Sequence, residues 1–282
     1  MSEKNQLNEK AIRSFRRTIY GYYREHGRDM PWRRTRNPYH ILVSEVMLQQ
    51  TQVERVKPKY EQFLQTFPDF RTLAGAPLRE VLAVWQGLGY NRRAISLRET
   101  AGIVMDRYEG QLPSDPDVLA TFPGIGQATA SAIAAFAFGL PSVFMETNIR
   151  RVFIHFFFKA GHKMIRDADI RPLVEQTLDA KDPRAWYYAL MDYGVMLGRK
   201  GENANRRSAH HRKQSRFEGS NRQVRGLVLK ALTARQQVLS ARQLASELDI
   251  GIERIATALN DLEAERFVEK RTKGYRVRQG DE

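Results

Sequence analysis

Leu119-Ala-Thr-Phe-Pro-Gly-Ile-Gly-Gln-Ala-Thr-Ala130 is the stretch of the sequence that decides the fold. Apolar residues recur at helical spacing on both sides of its centre, over 114–122 and 127–138. The Pro-Gly-Ile-Gly turn between these two segments predicts a break between two short helices. Because Gly124 and Gly126 have no side chains, a phosphate could approach the free amides at the start of the second helix. An ordinary corner between two helices would contain the same turn.

Helical spacing of apolar residues continues along most of the chain, and runs that alternate with period two are scarce before the last dozen residues. We therefore expect an all-α fold, with one helical domain over 8–198. The composition changes at 199–225, where nine Lys and Arg stand against two Glu. Asn, Ser and Gly fill the gaps between these charges, so a basic linker is predicted over 199–221.

Three further helices and a β-hairpin are predicted after the linker, in a domain over 222–278. This order of elements suggests a winged helix-turn-helix, with Ile252 to Ala264 as the recognition helix. A small helical oligomerisation module is the alternative interpretation. Winged domains also serve as protein-docking surfaces, so contact with DNA does not follow from the pattern alone.

The charge of the chain points to a polyanionic partner. Its 46 Lys and Arg exceed its 32 Asp and Glu by 14, and the pI is about 10.1. Nucleic acid and an acidic membrane surface both fit this excess, but no basic amphipathic helix with aromatic anchors favours the membrane. The sequence contains no cysteine, which excludes disulfides, cysteine-bound zinc and iron–sulfur clusters. The longest apolar stretch, 130–140, is too short to span a membrane. Because the N-terminus also lacks a secretory signal, we expect a cytoplasmic, nucleoid-associated protein.

A carboxylate follows the Pro-Gly-Ile-Gly turn by about twenty residues. Glu146 lies at the predicted start of a helix that carries Arg150 and Arg151. The turn and this carboxylate together resemble the pattern of the helix-hairpin-helix DNA glycosylases, the superfamily of endonuclease III and the adenine mismatch glycosylases. The segments 30–33, 44–52 and 85–90 are similar to the adenine branch in particular, and the resemblance spans about 30 to 198. It implies a two-lobed helical domain that accepts a flipped base in the cleft between the lobes, with lesion-containing double-stranded DNA as the partner.

The resemblance assigns catalytic roles to two carboxyl groups. Glu146, with Asn148 two residues on, occupies a position that is nearly always aspartate in this superfamily, where the acid stabilises the oxocarbenium-like sugar and helps to position water. Glutamate is one methylene longer, so the backbone must shift or the activity must change. Glu45 matches the acid that protonates the departing base, and burial beside Tyr90 or Trp32 could raise its pKa. A buried structural acid is the alternative for Glu45, and a helix N-terminal acid is the alternative for Glu146.

The absence of one lysine bears on the type of glycosylase. Bifunctional members of the superfamily carry a lysine two residues after the second glycine of the hairpin, where it forms a Schiff base with the sugar. This chain has Ala128 there, so the resemblance implies a monofunctional enzyme without lyase activity.

Several positions are expected to contact the DNA or the base. Gln49 and Gln50 match residues that enter the duplex, although they could be simple surface positions. The expected base pocket consists of Trp32, Tyr90 and Asn91, with core packing as the alternative for Tyr90. The other expected DNA contacts are Gly124, Gly126, Gln127, Thr129, Asn148, Arg206, Arg207, His210, Arg212, Lys213 and Arg216. A solvated linker is the alternative for the basic run. No protein-bound metal is expected, and a monovalent cation could bind at the hairpin.

Two departures from the family pattern leave the target base open. Related enzymes usually carry four cysteines after a segment that corresponds to Met191-Asp-Tyr-Gly194, and this chain has none. Its C-terminal domain also differs from the β-rich domain that recognises 8-oxoguanine opposite adenine. Adenine is the favoured target, and uracil, mismatched thymine or a modified pyrimidine is the alternative. A catalytically inactive protein that binds DNA structures or regulates transcription is a second alternative. We expect a monomer.

Overall fold

The computed structural model describes residues 6–159, 161, 164–201, 203–210, 216–235 and 237–279. These residues form fourteen α-helices, two short 3-10 helices and one two-stranded sheet, which confirms the all-α fold class. The α-helices are α1 (Glu9–His26), α2 (Pro38–Leu48), α3 (Val53–Thr66), α4 (Phe70–Gly75), α5 (Leu78–Trp85), α6 (Arg92–Arg107), α7 (Pro116–Leu119), α8 (Gln127–Phe138), α9 (Thr147–Phe157), α10 (Asp167–Thr177), α11 (Pro183–Arg199), α12 (Asn221–Ala234), α13 (Ala241–Leu248) and α14 (Ile252–Ala264). The 3-10 helices are Pro31–Arg33 and Ala204–Arg207, and the strands are β1 (Val268–Arg271) and β2 (Gly274–Val277).

The chain forms two compact units that are not consecutive segments. Unit 1 contains the described residues of Met1–Glu45, Pro113–Thr121 and Ile125–Lys213, and unit 2 contains those of Val46–Leu112, Phe122–Gly124 and Gln214–Glu282. No helix of the described residues is long and apolar enough to cross a membrane.

Unit 1 is built around α11, against which α1 and α9 pack. Its core is aromatic: the ring of Phe15 lies 5.4 Å from that of Phe153 and 5.7 Å from that of Trp186, both edge to face. Edge-to-face rings add a favourable quadrupole contact to the burial of a large apolar surface. Asn8 caps α1 by accepting a hydrogen bond from the amide of Ala11. This core holds α9 against α11.

Residues 203–208 were expected in a linker, and the structure instead packs them against α9. Asn205 is buried and donates a hydrogen bond to the carbonyl of Thr147 (2.9 Å). The guanidinium of Arg207 donates to the carbonyls of Ile154, Phe158 and Lys159. The last carbonyls of a helix have no partner within the helix, so a cation placed there stabilises its end. This segment is therefore part of the folded unit.

Unit 2 combines α3 to α6 with the C-terminal elements. Trp85 of α5 packs edge to face on Phe63 of α3, with ring centres 5.9 Å apart. Two arginines join the C-terminal elements to this core: Arg79 donates to the carbonyl of Thr233, and Arg92 donates to the carbonyl of Glu265, both at 2.8 Å.

The C-terminal elements have the expected order of a winged helix-turn-helix. Ser240 begins α13 with a capping box, and Asp249 ends it in the left-handed conformation (φ 52°), which turns the chain into α14. The strands β1 and β2 pair antiparallel, and Leu239 adds a single bridge to Tyr275. The helices α12 and α14 pack against each other beneath this hairpin.

Candidate active site

Glu146 is the N-cap of α9. Its Oε1 accepts hydrogen bonds from the amides of Asn148 (2.8 Å) and Ile149 (2.9 Å), and its Oε2 accepts one from the Asn148 side chain (3.2 Å). The longer glutamate side chain is therefore turned back onto the start of the helix, where amides and helix dipole favour a negative charge. Glu146 can be both a helix N-terminal acid and a catalytic carboxylate, because the hydrogen bonds that cap the helix also hold the carboxyl group in one orientation.

A second layer of contacts fixes Asn148. Arg151 Nη1 donates to Asn148 Oδ1 (2.8 Å) and to the carbonyl of Gly194 (2.7 Å). With its Oδ1 engaged in this way, the Asn148 amide directs its Nδ2 at Glu146. A Cβ built on Gly194 would lie 2.5 Å from the Asn148 carbonyl oxygen, so only glycine lets α9 approach α11 this closely. The glycine of the Met191-Asp-Tyr-Gly194 segment thus positions the carboxylate.

Glu45, on α2, has the pKa expected of a general acid. Burial, followed by the nearby charge of Glu146, raises its pKa from 4.5 to about 8, and the charge of Arg33 lowers it. Burial raises the pKa of Glu146 as well, but the amides of Asn148 and Ile149 oppose that rise by hydrogen-bonding the charged form. Among the described residues, none donates a hydrogen bond to Glu45. The environment therefore favours a proton on Glu45 near neutral pH, whereas at Glu146 the amides at the start of α9 oppose the rise in pKa that burial causes.

A buried ion-pair cluster supports this pair of carboxyl groups. Asp192 is 2% exposed; it accepts two hydrogen bonds from the Arg33 guanidinium (2.8 and 2.9 Å) and one from Arg28 Nε (2.6 Å). Burial by itself would raise the pKa of Asp192, but these two arginines outweigh it and lower the pKa. Arg33 also lies over the ring of Tyr188, 4.4 Å from its centre. The Tyr188 hydroxyl is buried and lacks a hydrogen-bond partner within the part of the chain that the structure describes.

The turn before α8 has the geometry of a phosphate site. Gly124 is left-handed (φ 71°), and a Cβ there would lie 2.9 Å from the Ser96 Cβ, so this position requires glycine. Gly126 is the N-cap of α8, and a Cβ on it would meet nothing within 4 Å. Gln127 and Ala128 are exposed, and the first turn of α8 has no acidic residue. An anion can therefore reach the free amides. The helix before the turn, α7, is shorter than the predicted 114–122.

The remaining predicted contacts near this turn have partners of their own. Gln127 donates to Asp117 (3.1 Å) and Thr129 is half-buried. The Gln49 side chain donates to the Gly124 carbonyl (3.1 Å) and so helps to hold the turn before α8.

Arg93, which was not among the predicted site residues, organises the predicted DNA-contacting residues of unit 2. Its guanidinium donates to the carbonyls of Val46, Met47 and Gln49 at the end of α2, and to those of Leu88 and Gly89 in the loop before α6. Burial lowers its pKa to about 10. One buried cation thus ties together two loops that are forty residues apart in sequence. The one sequence feature that could have pointed to Arg93 is its position three residues after Tyr90.

Two residues next to this arginine have strained backbones. Gln50 (φ 55°) and Tyr90 (φ 47°) are both left-handed, a conformation that side chains other than Asn, Asp and Gly rarely adopt. Strain of this kind persists where the surrounding structure enforces it, and it is common at functional sites. Tyr90 is 37% exposed, and Asn91 is the N-cap of α6.

The two units divide the predicted base-pocket residues. Trp32 is buried in unit 1, the unit of Glu45 and Glu146, and Tyr90 and Asn91 belong to unit 2.

The predicted basic contacts between 206 and 216 differ in their surroundings. Arg206, His210 and Arg216 are exposed, and Arg216 pairs with Glu218 (3.0 Å). Arg207 instead uses its donors on α9, so it is a structural residue rather than an open phosphate contact. Arg212 and Lys213 lie outside the described residues. Within the described ranges, no group of three or more His, Asp or Glu could hold a metal ion.

Comparisons with known proteins agree with this geometry. The family model described as HhH-GPD superfamily base excision DNA repair protein matches residues 43–273. The adenine DNA glycosylase of Mycolicibacterium smegmatis is 34% identical over 230 residues, which cover 76% of this chain and 78% of that protein. The adenine DNA glycosylase of Buchnera aphidicola subsp. Baizongia pistaciae is 37% identical over 188 residues, covering 65% of this chain and 52% of that protein. The human adenine DNA glycosylase is 34% identical over 197 residues, which cover 66% of this chain and 36% of that protein. The chain thus spans about half the length of the Buchnera relative and about a third of the human one.

Solved structures are similar as well. A thermostable thymine-DNA glycosylase matches with a TM-score of 0.63 and 28% identity, covering 69% of this chain and 91% of that one. A trapped endonuclease III–DNA covalent intermediate matches with a TM-score of 0.54 and 22% identity, covering 75% of this chain and 92% of that one. At this level of identity the match shows a shared fold alone. With a family model that covers most of its length, this chain belongs to the HhH-GPD superfamily of base excision DNA repair proteins.

Proposed function

We propose that the protein is a DNA glycosylase that hydrolyses the N-glycosidic bond of a base extruded from double-stranded DNA. The observation that carries this proposal is the pair of carboxyl groups in unit 1. Burial and the charge of Glu146 raise the pKa of Glu45 to about 8, which keeps it largely protonated near neutral pH, and the amides at the start of α9 hold the Glu146 carboxyl group in one orientation. A protonated acid and a carboxyl group oriented by backbone amides are suited to the roles of general acid and anionic stabiliser.

The chemistry uses both groups in sequence. Glu45 gives its proton to a ring nitrogen of the departing base, because a purine leaves poorly as an anion. The bond between the sugar C1′ and the base breaks, and the Glu146 carboxylate stabilises the cationic sugar. A water molecule adds to C1′, its proton passes to Glu146 or solvent, and Glu45 regains a proton from solvent. The products are a free base and an abasic site.

Adenine is the favoured base. The relatives that cover most of this chain are named adenine DNA glycosylases, and one of them is matched over 78% of its own length. The Tyr188 hydroxyl, whose pKa burial raises, has no hydrogen-bond partner among the described residues and offers a buried polar group that a heteroatom of the base can satisfy. The structural similarity to a thymine-DNA glycosylase supports mismatched thymine or uracil as the second candidate.

We also propose that the enzyme is monofunctional. Ala128, exposed at the start of α8, has no amine to form a Schiff base with the sugar. The amides of this turn would bind a DNA phosphate, and a monovalent cation could join them. We propose that the protein acts as a monomer on cytoplasmic, nucleoid DNA and needs no iron–sulfur cluster, for which it has no cysteine.

A panel of duplexes tests these proposals. Each duplex carries one lesion or mismatch, and strand breaks are measured with and without alkali for the wild type and for Glu146→Gln. We expect alkali-dependent breaks at adenine with the wild type and at least a hundredfold slower release with Glu146→Gln. Full activity of Glu146→Gln would contradict the catalytic assignment, and breaks without alkali would contradict the monofunctional one. Tight binding without base release on every duplex would instead indicate an inactive DNA-binding protein.

A further inference from the structure

An arginine of the C-terminal elements contacts Tyr90. Arg222, in the first turn of α12, donates a hydrogen bond from Nη1 to the Tyr90 hydroxyl (3.1 Å). Its guanidinium carbon and that of Arg93 lie 6.0 and 5.5 Å from the centre of the Tyr90 ring. Both arginines therefore lie near the exposed Tyr90 ring, and Arg222 reaches it from a helix far along the chain.

Further groups of the same character surround this contact. Phe217 is 59% exposed, and the Arg222 guanidinium lies 6.0 Å from its ring centre. Arg254, at the start of α14, donates to the carbonyl of Gly219 (2.8 Å), which places the beginning of α14 beside the beginning of α12. We call Tyr90, Phe217, Arg222 and Arg254 the Tyr90 surface.

The Tyr90 surface keeps a positive charge and a fixed position. The acidic residues Glu218 and Glu265 in the same region are held in ion pairs by Arg216 (3.0 Å) and Arg225 (2.5 Å). The hydrogen bonds from Arg79 to Thr233 and from Arg92 to Glu265 dock α12 and the end of α14 on the core of unit 2. Exposed aromatic rings interleaved with guanidinium groups are the chemistry that binds nucleic acid, through stacking and phosphate contacts.

We propose that the Tyr90 surface binds the DNA duplex that flanks the extruded nucleotide, with Arg222 on a phosphate and Phe217 against the sugar or base next to it. This inference rests on the proposed function, since it takes Tyr90 to lie against the target site. The C-terminal domain then serves excision directly: the starts of α12 and α14, rather than the β1–β2 hairpin, contact the DNA. It adds contacts to base pairs that flank the extruded nucleotide.

Binding to duplexes of two lengths tests the proposal. Each duplex carries a stable abasic-site analogue, flanked by about 15 or about 5 base pairs on each side, since one helical turn is about 10 base pairs. The variants are Arg222→Ala and Phe217→Ala. The control is Lys230→Ala, which removes an exposed charge from the same helix two turns away. Affinity is measured by fluorescence anisotropy over a range of salt concentrations.

We expect Arg222→Ala and Phe217→Ala to bind the long duplex about tenfold more weakly than the wild type, with Lys230→Ala unchanged. Arg222→Ala should also lower the slope of log affinity against log salt by about 0.9, the value for one phosphate contact. On the short duplex the difference between variants and wild type should shrink. Wild-type affinity of Arg222→Ala for the long duplex would overturn the proposal, as would losses confined to Lys270→Ala and Lys273→Ala in the hairpin.

A Tyr90→Phe variant separates DNA contact from positioning, because it removes the hydroxyl but keeps the ring. If Arg222 only held Tyr90 in place, Tyr90→Phe would reproduce the loss, and adding Arg222→Ala to it would change neither affinity nor salt slope. That result would overturn the proposal. Base release by the wild type is measured in parallel on the same duplexes with adenine in place of the analogue. Failure there would contradict the proposed function, whereas the binding data test the Tyr90 surface independently.

Discussion

Replacing Glu45 by glutamine should stabilise the protein and stop base release at the same time. The pKa of Glu45 rises from 4.5 to about 8 on folding. Between these two values the folded chain holds a proton that the unfolded chain has lost, so the free energy of unfolding falls as the pH rises. Each pH unit costs about 1.4 kcal/mol, which amounts to about 3 kcal/mol between pH 4.5 and 7.

Glutamine has nearly the same shape and does not titrate, so the variant should escape this loss. We expect the difference in unfolding free energy between Glu45→Gln and the wild type to be small near pH 4.5, to grow by about 3 kcal/mol at pH 7, and to level off above about pH 8. Base release should fall 10²- to 10⁴-fold because the general acid is absent. Wild-type activity should itself decline as the pH rises through about 8.

The assay is urea denaturation at a series of pH values, combined with single-turnover base release. Glu61→Gln, at an exposed site on α3, is the matched control and should show no comparable dependence on pH. A constant difference between Glu45→Gln and the wild type from pH 4.5 to 8 would refute the reasoning, because it would mean that Glu45 titrates alike in the folded and unfolded chains.

Three other substitutions test the supports of the site. Asp192→Asn should destabilise unit 1 by about 3–5 kcal/mol, measured by urea denaturation, because it leaves the buried Arg33 and the half-buried Arg28 without a counter-charge. Gly194→Ala should cost at least about 1–3 kcal/mol and slow base release, since its Cβ would overlap the Asn148 backbone. Arg93→Met should raise hydrogen exchange at the end of α2 and weaken binding of abasic-site DNA, because the carbonyls of Met47 and Gln49 lose their guanidinium donor.

Much of the site could be predicted because it is encoded by local patterns. The turn around Gly124 and the helix that begins after Glu146 depend on residues within a few positions of each other, so their backbone preferences are visible in the sequence. The all-α fold follows from the spacing of apolar residues in the same way. The carboxylate at position 146 was identified together with its neighbour Asn148, and the structure shows the hydrogen bonds between them.

Residues 199–221 show where composition misleads. Their charge and lack of apolar periodicity predicted a linker, yet Asn205 is buried and Arg207 closes the end of α9. The carbonyls that these side chains satisfy belong to residues some fifty positions earlier. The sequence does not show whether the side-chain donors of such residues bond to distant carbonyls or to water, because folding decides which carbonyls lie nearby.

The sequence by itself determined the helices and the glycine turn, excluded any cysteine-bound cluster, and identified the two candidate acids. Only the tertiary structure decided that burial raises the pKa of Glu45, that Arg93 ties the end of α2 to the loop before α6, and that Arg222 reaches Tyr90 across 132 positions. The physical reason is the range of the interactions involved. Helix formation and turn geometry depend on neighbours along the chain, whereas desolvation and hydrogen bonds to distant carbonyls depend on which residues folding brings together.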